Sequence, residues 1–542
     1  MSAIVTDQFR ILNATNFIDS VLGGSDHYYA FLGLANPSLT LTESTSFGRA
    51  NDSIWNDALT TPSPTDNFQY RSHYKQTSLF GKKLTSENIR RVVKKHQWTI
   101  NTRYDMYRHD YGQPLLDNTI YQSPNSSSTR LYDSNYYVVN SDFRVYICID
   151  NGSSGEPGSE DAKGNRSQDE PTFTELEPTA AGTSGDGYIW KYLFTISPSD
   201  IIKFDSTEYI VLPNDWETST DSQILNVRES GDSFVNNNQI KKVYIEKKGT
   251  AYKNGTHNNI PILGDGQGGK VSIVVNSSGE IASVKVTSGG SGYTYGMIDL
   301  GSYRKENITA DFSNSAKLIP IIPPSRGHGY DLYSELGADK VLIYSRFDDS
   351  TRDFPTGTKF GQVGILKNPK QYSSNSSNFT GNEYSSLHAI KLTSVNNPND
   401  IVPGEIIEQE HSSGSNKKSK GYVASYDKDT QVLKYFKDRS LFLNNVNKSN
   451  ETDYQNVSSE SLNLPFEATT KTITGENFTA SVDTTFTNSD TSNGINLGVT
   501  FVSGLANPEI NKNTGDLIYI NNRPTVTRDS RQKEDVKIIL EF

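Results

Sequence analysis

Gly515-Asp516-Leu517-Ile518-Tyr519-Ile520-Asn521-Asn522-Arg523-Pro524, then a polar stretch, then Val536-Lys537-Ile538-Ile539-Leu540-Glu541-Phe542 close the chain. Runs this rich in β-branched and aromatic residues read as strands. Chain ends fray unless a sheet ties them down, so a terminus that finishes on Ile-Ile-Leu-Glu-Phe is expected to close a core, burying Ile538, Leu540 and Phe542.

Composition extends that reading to the whole chain. At 542 residues the length exceeds one core, and about 150 residues per domain implies three or four domains. Hydrophobic residues at 34%, aromatics at 11%, 30 Tyr and 41 Gly favour short strands and turns over a helical bundle. No apolar run approaches the roughly 18 residues that span a bilayer, and Met1-Ser2-Ala3-Ile4-Val5 lacks the start of a secretory signal. The expectation is a soluble protein made in a cytoplasm, without membrane insertion. A single cysteine, Cys148, excludes an internal disulfide and a CxxC metal cluster; within Val145-Tyr146-Ile147-Cys148-Ile149 it reads as a small buried hydrophobe. The charge balance, 52 − 63 = −11, argues against a surface built for nucleic acid.

Along the chain, Ala3-Ile4-Val5 reads as a strand, followed by a short helix capped by Thr15, with Phe17, Ile18 and Val21 on one face and Gly23-Gly24 as its stop. His27 to Leu34 reads as a buried strand, and Asn36 to Asn67 as a loop. Thr85 to Lys95 carries the clearest helix signal: a hydroxyl cap, Glu87 in the first turn, bases in the last, and Ile89, Val92 and Val93 as a core stripe. That helix would present Arg90, Arg91, Lys94 and Lys95 outward, near Lys82 and Lys83. The six form the densest positive cluster of the chain, read as a solvated face, a contact for an acidic neighbouring subunit or, last of the three, a local patch for nucleic acid. A hairpin is expected about Asn140-Ser141-Asp142, a mobile surface loop over Asn151 to Pro171, a strand over Gly185 to Phe194, a helical turn begun by Pro198, and a strand at Tyr209 to Leu212.

Further on, Val243-Tyr244-Ile245 leads to Gly249-Thr250-Ala251-Tyr252, and Val284-Lys285-Val286 to Gly289-Gly290-Ser291-Gly292-Tyr293. Strands of about five residues punctuated by glycine make a compact all-β insert there. Later strands at Val341, Gly364 and Ala389, and a meander through Gly404, Gly421 and Val432, are separated by Asn- and Ser-rich connections such as 372–382 and 447–462.

Signatures of chemistry are scarce. No HExxH, Walker A or GxSxG pattern occurs, so no catalytic residue, metal ligand or cofactor site is assigned. Gly264 to Gly269 precedes the β-branched run Val271 to Val275, where a phosphate loop needs a helix. Gly327-His328-Gly329-Tyr330-Asp331 is the most enzyme-like cluster, but a His and an Asp alone make no site and a hydrogen-bonded turn explains them. Asp186 in Gly185-Asp186-Gly187 reads as a turn acid.

Four ordered blocks carry a resemblance. Ala3-Ile4-Val5-Thr6 with Phe9-Arg10 and Asn16-Phe17; Trp98 to Arg103-Tyr104; Gly185 to Phe194 with Glu208 to Pro213; and the closing strands together resemble the baseplate wedge subunit of T-even-type contractile-tailed phages, the gene-product-eight type. The resemblance covers roughly the first 215 residues and the last 30 or so; the interior from about 225 to 500 has no counterpart in it. Tyr188, Trp190, Tyr192, Tyr519, Arg523, Pro524 and Phe542 are the core residues of the matching blocks.

That resemblance implies a mainly β, multi-domain protein of layered sandwiches with few short helices and inserted all-β modules. Its domains would be 1–85 with 500–542 as one discontinuous sandwich, 86–225 as a second, 226–310 as a Gly/Tyr-rich insert and 311–499 as a further all-β insert region. It implies a homodimer in the virion tail baseplate, holding other wedge subunits, with tail-fibre or fibre-attachment proteins as further partners, and sharing in the rearrangement that triggers sheath contraction. Two other readings compete. The Tyr-rich repeats could stack sugars, making a carbohydrate- or receptor-binding adhesin; a depolymerase-like enzyme is the third.

Overall fold

Strands dominate this chain in the computed structural model, which describes residues 5–33, 78–115, 118–305, 314–348, 359–372, 374, 376–412, 418–436, 464–487, 491–492, 495–496, 499–512, 514–527, 529 and 532–542. The mainly β expectation is met. No helix among the described residues is long and apolar enough to cross a membrane. The expected loops at 36–67 and 447–462 lie outside the described residues.

The first helix, Asp7–Leu22, starts earlier than its sequence reading. Thr6 rather than Thr15 serves its start: the Phe9 amide donates to Thr6 Oγ1 at 3.3 Å, and Asp7 places an acid in the first turn. Ile11, Ala14, Ile18 and Val21 form its buried stripe, and Gly24, at φ 72°, follows its end. Val5 lies ahead of the helix in no strand; Ala3 and Ile4 are outside the described residues.

The chain folds as two compact units. One comprises Met1–Asn16, Arg90–Leu342 and Ile539–Phe542. At its centre the strands Tyr137–Val139, Arg144–Asn151, Tyr188–Thr195 and Thr179–Ala180 pair in that order, all antiparallel. The hairpin turns where expected, because Asn140 Oδ1 accepts the amides of Asp142 and Arg144 at 2.9 and 2.8 Å. Cys148 lies opposite Trp190, buried as expected. Trp190 stacks on Tyr188 at 5.3 Å and meets Tyr104 edge-on at 5.7 Å, so three large rings fill the space beneath the sheet.

Two readings need correction. Thr85 to Lys95 is not a helix: Ile89–Lys94 is a strand, its Val92 opposite Val211. Thr85 directs its hydroxyl and amide to Asn88 Oδ1 in a turn, so the expected cap serves a bend, and the β-branched Ile89, Val92 and Val93 go to a strand whose two faces are both covered. Residues 151–171 are not a free surface loop either. Ala162 and Ser167 are buried, Trp98 Nε1 donates to Ser167 Oγ, and Asn165 Nδ2 donates to the Asp186 carbonyl, so polar side chains rather than apolar ones hold the segment down.

A second sheet of this unit has the strand order Ile281–Ser288, Lys270–Val275, Gly255–Gly264, Gly296–Ile298. Ile260, Ile262, Val271, Ile273 and Tyr293 make its core. The strand Val243–Lys247 pairs with Lys317–Pro320.

The other unit comprises Phe17–Ile89 and Ile343–Ile538. Its five-stranded sheet runs Glu383–Ser385, Ser78–Lys83, Tyr28–Gly33, Lys359–Lys367, Asp516–Thr527. The Tyr28 and Asp516 strands, far apart in sequence, flank the Lys359 strand. The expected meander, Ile406–Glu410, Lys418–Asp427 and Val432–Phe436, is half of a closed barrel. His388–Asn396 pairs with both Val432–Phe436 and Thr479–Val482, and Ile473–Thr474 bridges Thr479–Val482 to Ile406–Glu410, closing six strands on themselves. Ile390, Leu392, Ile407, Val423, Leu433 and Phe478 fill its interior.

At the chain's end, Glu534–Glu541 is a strand as expected, yet of Ile538, Leu540 and Phe542 Ile538 alone is buried; Leu540 and Phe542 are half-buried. Tyr188, Trp190 and Tyr192 are fully buried, Tyr519 is half-buried, and Arg523 is exposed and so no part of a core. Pro524 lies in the Asp516–Thr527 strand.

Candidate subunit-contact site

The strand geometry disperses the six cations that the sequence brings together. In the unit containing the five-stranded sheet, Lys82 pairs with Glu383 at 3.1 Å and Lys83 Nζ donates to the Thr380 carbonyl at 3.4 Å. In the other unit, side chains alternate across a strand, so Arg90 and Arg91 point oppositely. Arg90 Nε donates to Asp200 Oδ1 at 2.9 Å, and its guanidinium lies 5.1 Å from the centre of the Phe204 ring. Both partners come from the helix Pro198–Phe204, which Ser197 caps through the Asp200 amide. Arg91 is buried over Tyr333. Lys95 reaches Asp205 Oδ1 at 3.1 Å and the Ser206 carbonyl at 3.2 Å. Lys94 is exposed and carries no ion pair among the described residues.

Lys94 and Lys95 line a groove of about 450 Å³ with Arg130, Tyr132, Glu208 and Lys340. Arg130 pairs with Asp7 and Asp133, and Lys340 with Asp339 and Glu541. Such a groove, mixed in sign and walled by tyrosine, can hold a polar surface by hydrogen bonds and ion pairs.

The enzyme-like cluster resolves into a buried knot. Asp331 caps the helix Leu332–Leu336 by accepting the Ser334 amide at 3.0 Å. His328 Nδ1 instead lies 2.5 Å from Glu335 Oε1, while Glu335 Oε2 accepts the Gly329 amide at 2.6 Å. His328 and Glu335 are both buried, and the ring of Tyr107 stands edge-on to the imidazole at 4.8 Å. Glu335 carries a weak signal in the sequence, an acid in a short helix beside Leu332, Tyr333 and Leu336, which are buried with it. Nearby, the buried Lys191 Nζ donates to the Leu176 carbonyl at 2.8 Å and to Ser230 Oγ at 3.0 Å. Burial first, then the charge of Lys241, hold its ammonium down to about 8, with Glu335 and Glu177 pulling the other way. Burial and then Glu335 push the Tyr107 hydroxyl far up.

The other motifs are architectural. Asp186 accepts the amides of Gln168 and Tyr188 at 2.8 and 3.0 Å, a turn acid as read. Gly264 to Gly269 runs into the strand Lys270–Val275. Among the described residues no three His, Cys, Asp or Glu side chains gather as a metal group.

Residues 148–255 match the family described as Phage-Gp8, bacteriophage T4 Gp8. No curated protein matches the chain. The Gp8-like segment takes in Cys148, the Tyr188–Thr195 strand with Trp190 and Lys191, the helix Ser222–Gly231 and the Val243–Lys247 strand. The chain therefore carries, within a mainly β fold, a segment similar to a structural protein of a phage tail baseplate.

Proposed function

We propose that this protein is a structural subunit of a contractile-tail baseplate wedge, acting in the virion as a homodimer that bridges neighbouring wedge proteins and shares in the rearrangement that triggers sheath contraction. The observation that carries the reading is the match over residues 148–255, which contains the stacked pair Tyr188 and Trp190. A part that transmits force needs such rigid packing and a wide contact surface. Lys94, Lys95 and Arg130 offer polar contacts to a neighbour. Two measurements test this. A map of the intact particle should place the chain in the baseplate around the tail axis; a location elsewhere overturns the reading. Light scattering at micromolar concentration should give a dimer, and a monomer removes that part.

A specific observation supports a second reading, a sugar or receptor contact. Tyr295 is 61% exposed on a turn fixed by Asp265, which accepts the Thr294 and Tyr295 amides, with Met297 and Leu263 exposed nearby. Glycan-array binding that Tyr295→Ala abolishes would raise it above the first.

A further inference from the structure

The strand Asp516–Thr527 is one margin of the five-stranded sheet and pairs antiparallel with Lys359–Lys367 on one side only. In such a ladder alternate residues turn amide and carbonyl away from the partner, so an edge strand carries a row of free donors and acceptors on its outer side. Among the described residues no backbone group outside Lys359–Lys367 bonds to 517–521.

The two margins of this sheet are built differently. Glu383–Ser385 has 3 residues, and Glu383 pairs with Lys82, so that edge is short and charged. Asp516–Thr527 has 12, and between Asp516 and Arg523 runs Leu517-Ile518-Tyr519-Ile520-Asn521-Asn522, without a charge. Leu517 and Ile520 pack against the core around Tyr29, Phe31 and Leu366. Ile518, at the register shift between Ile365 and Leu366, is 44% exposed. Asp516 and Arg523 are exposed, and neither has an ion pair among the described residues.

We infer that this edge pairs with the same edge of a second copy of the chain, antiparallel about a two-fold axis near Ile520, so that the two five-stranded sheets become one. A two-fold contact of this kind is self-complementary: the free amides of each copy meet the free carbonyls of the other. The same axis brings Asp516 of one copy beside Arg523 of the other, twice over, and turns unpaired opposite charges into two pairs. Copies that each carry −11 repel as wholes, and a run with one acid and one base at its ends is a place where they can approach. Pro524, which has no amide to donate, ends the ladder just past Arg523. The inference rests on the dimer reading and names the surface that forms it.

Sedimentation of the full chain tests it through a charge exchange. Asp516→Arg and Arg523→Asp, both at exposed side chains, should each raise the dimer dissociation constant by about tenfold, since each sets like charges together twice; the double variant should return to within about threefold of the original. Hydrogen–deuterium exchange within 518–522 should slow as the chain is concentrated into its dimer. A dimer whose affinity neither single variant changes, whose double variant is no tighter than the singles, or whose 518–522 amides do not slow on assembly overturns the inference and leaves the dimer reading standing. A chain that sediments as a monomer throughout overturns both.

Discussion

Arg91 holds its guanidinium 3.9 Å from the centre of the Tyr333 ring at a position only 3% exposed. The ring is fixed from its far end, since the Tyr333 hydroxyl donates to the Pro213 carbonyl at 2.7 Å and lies 3.2 Å from the Trp216 amide. A desolvated cation on an aromatic face contributes about 2 kcal/mol, and the aliphatic stem adds packing. Arg91→Ala should therefore lower the unfolding free energy by about 2 to 4 kcal/mol in urea titration. Arg91→Lys should recover only part, because a point ammonium cannot lie flat on the ring. A loss below about 0.5 kcal/mol would mean the cation is solvated after all.

That residue also shows where the sequence could and could not be read. Alternating and β-branched runs at Tyr137, Val145, Tyr188 and Tyr209 stated their own strands, because the signal lies within a few residues. Thr85 to Lys95 misled, since cap, acid and bases matched a helix while the burial of Arg91 depends on Tyr333, more than two hundred residues away. The same holds for His328: sequence proximity points to Asp331, whereas the pairing with Glu335 depends on how the Gly327 to Tyr330 turn and the next helix pack. The barrel closure was invisible because His388–Asn396 pairs two strands remote from it and from each other.

Phe31 sits opposite Gly81 on one side and Gly364 on the other. A Cβ at Gly364 would stand 2.4 Å from the Phe31 ring and 2.5 Å from the Tyr519 carbonyl oxygen; one at Gly81 would stand 2.2 Å from the Tyr384 ring. Rings lie where these glycines leave room, so Gly364→Ala and Gly81→Ala should each destabilise the unit by about 1 to 3 kcal/mol through overpacking. Gly158→Ala, with nothing within 4 Å of the added methyl but φ at 87°, separates backbone strain from crowding and should cost about 1 kcal/mol. Equal losses at all three positions in denaturant unfolding would remove the crowding argument.

Ile538 and Phe542 should respond differently to truncation. Ile538 is 5% exposed, and Ile538→Ala should cost about 2 to 4 kcal/mol in the unit holding the five-stranded sheet. Phe542 is half-buried, its amide donating to the Asp339 carbonyl at 3.2 Å, so removing it alone should cost about 1 kcal/mol or less. Soluble yield and circular dichroism melting of the two variants decide this. Collapse of the chain on losing Phe542 alone would show that the last residue carries the core.

The buried amine of Lys191 gives the stability a pH dependence with a fixed sign. Burial holds its pKa near 8, below the ordinary 10.5, so below about pH 8 folded and unfolded chains both carry the proton and the penalty of burying it stands in full. Between about 8 and 10.5 the unfolded chain binds the proton and the folded chain does not, so stability rises with pH, by an amount on the order of 3 kcal/mol when complete. Tyr107 and Tyr136, pushed above 10 chiefly by burial, act the other way once the unfolded tyrosines ionise, and stability falls as pH passes 10. The buried Cys148 thiol, raised well above its ordinary 9.0, acts in the same direction as the tyrosines from about pH 9, so the readable window is about pH 8 to 9. Hydrogen exchange of the Tyr188–Thr195 strand across that window should slow as opening becomes harder, after correction for intrinsic rates. In Lys191→Met the rise should shrink to the part that Lys241, an amine also lowered by burial, still supplies, and an unchanged slope in that variant would trace the effect to another group.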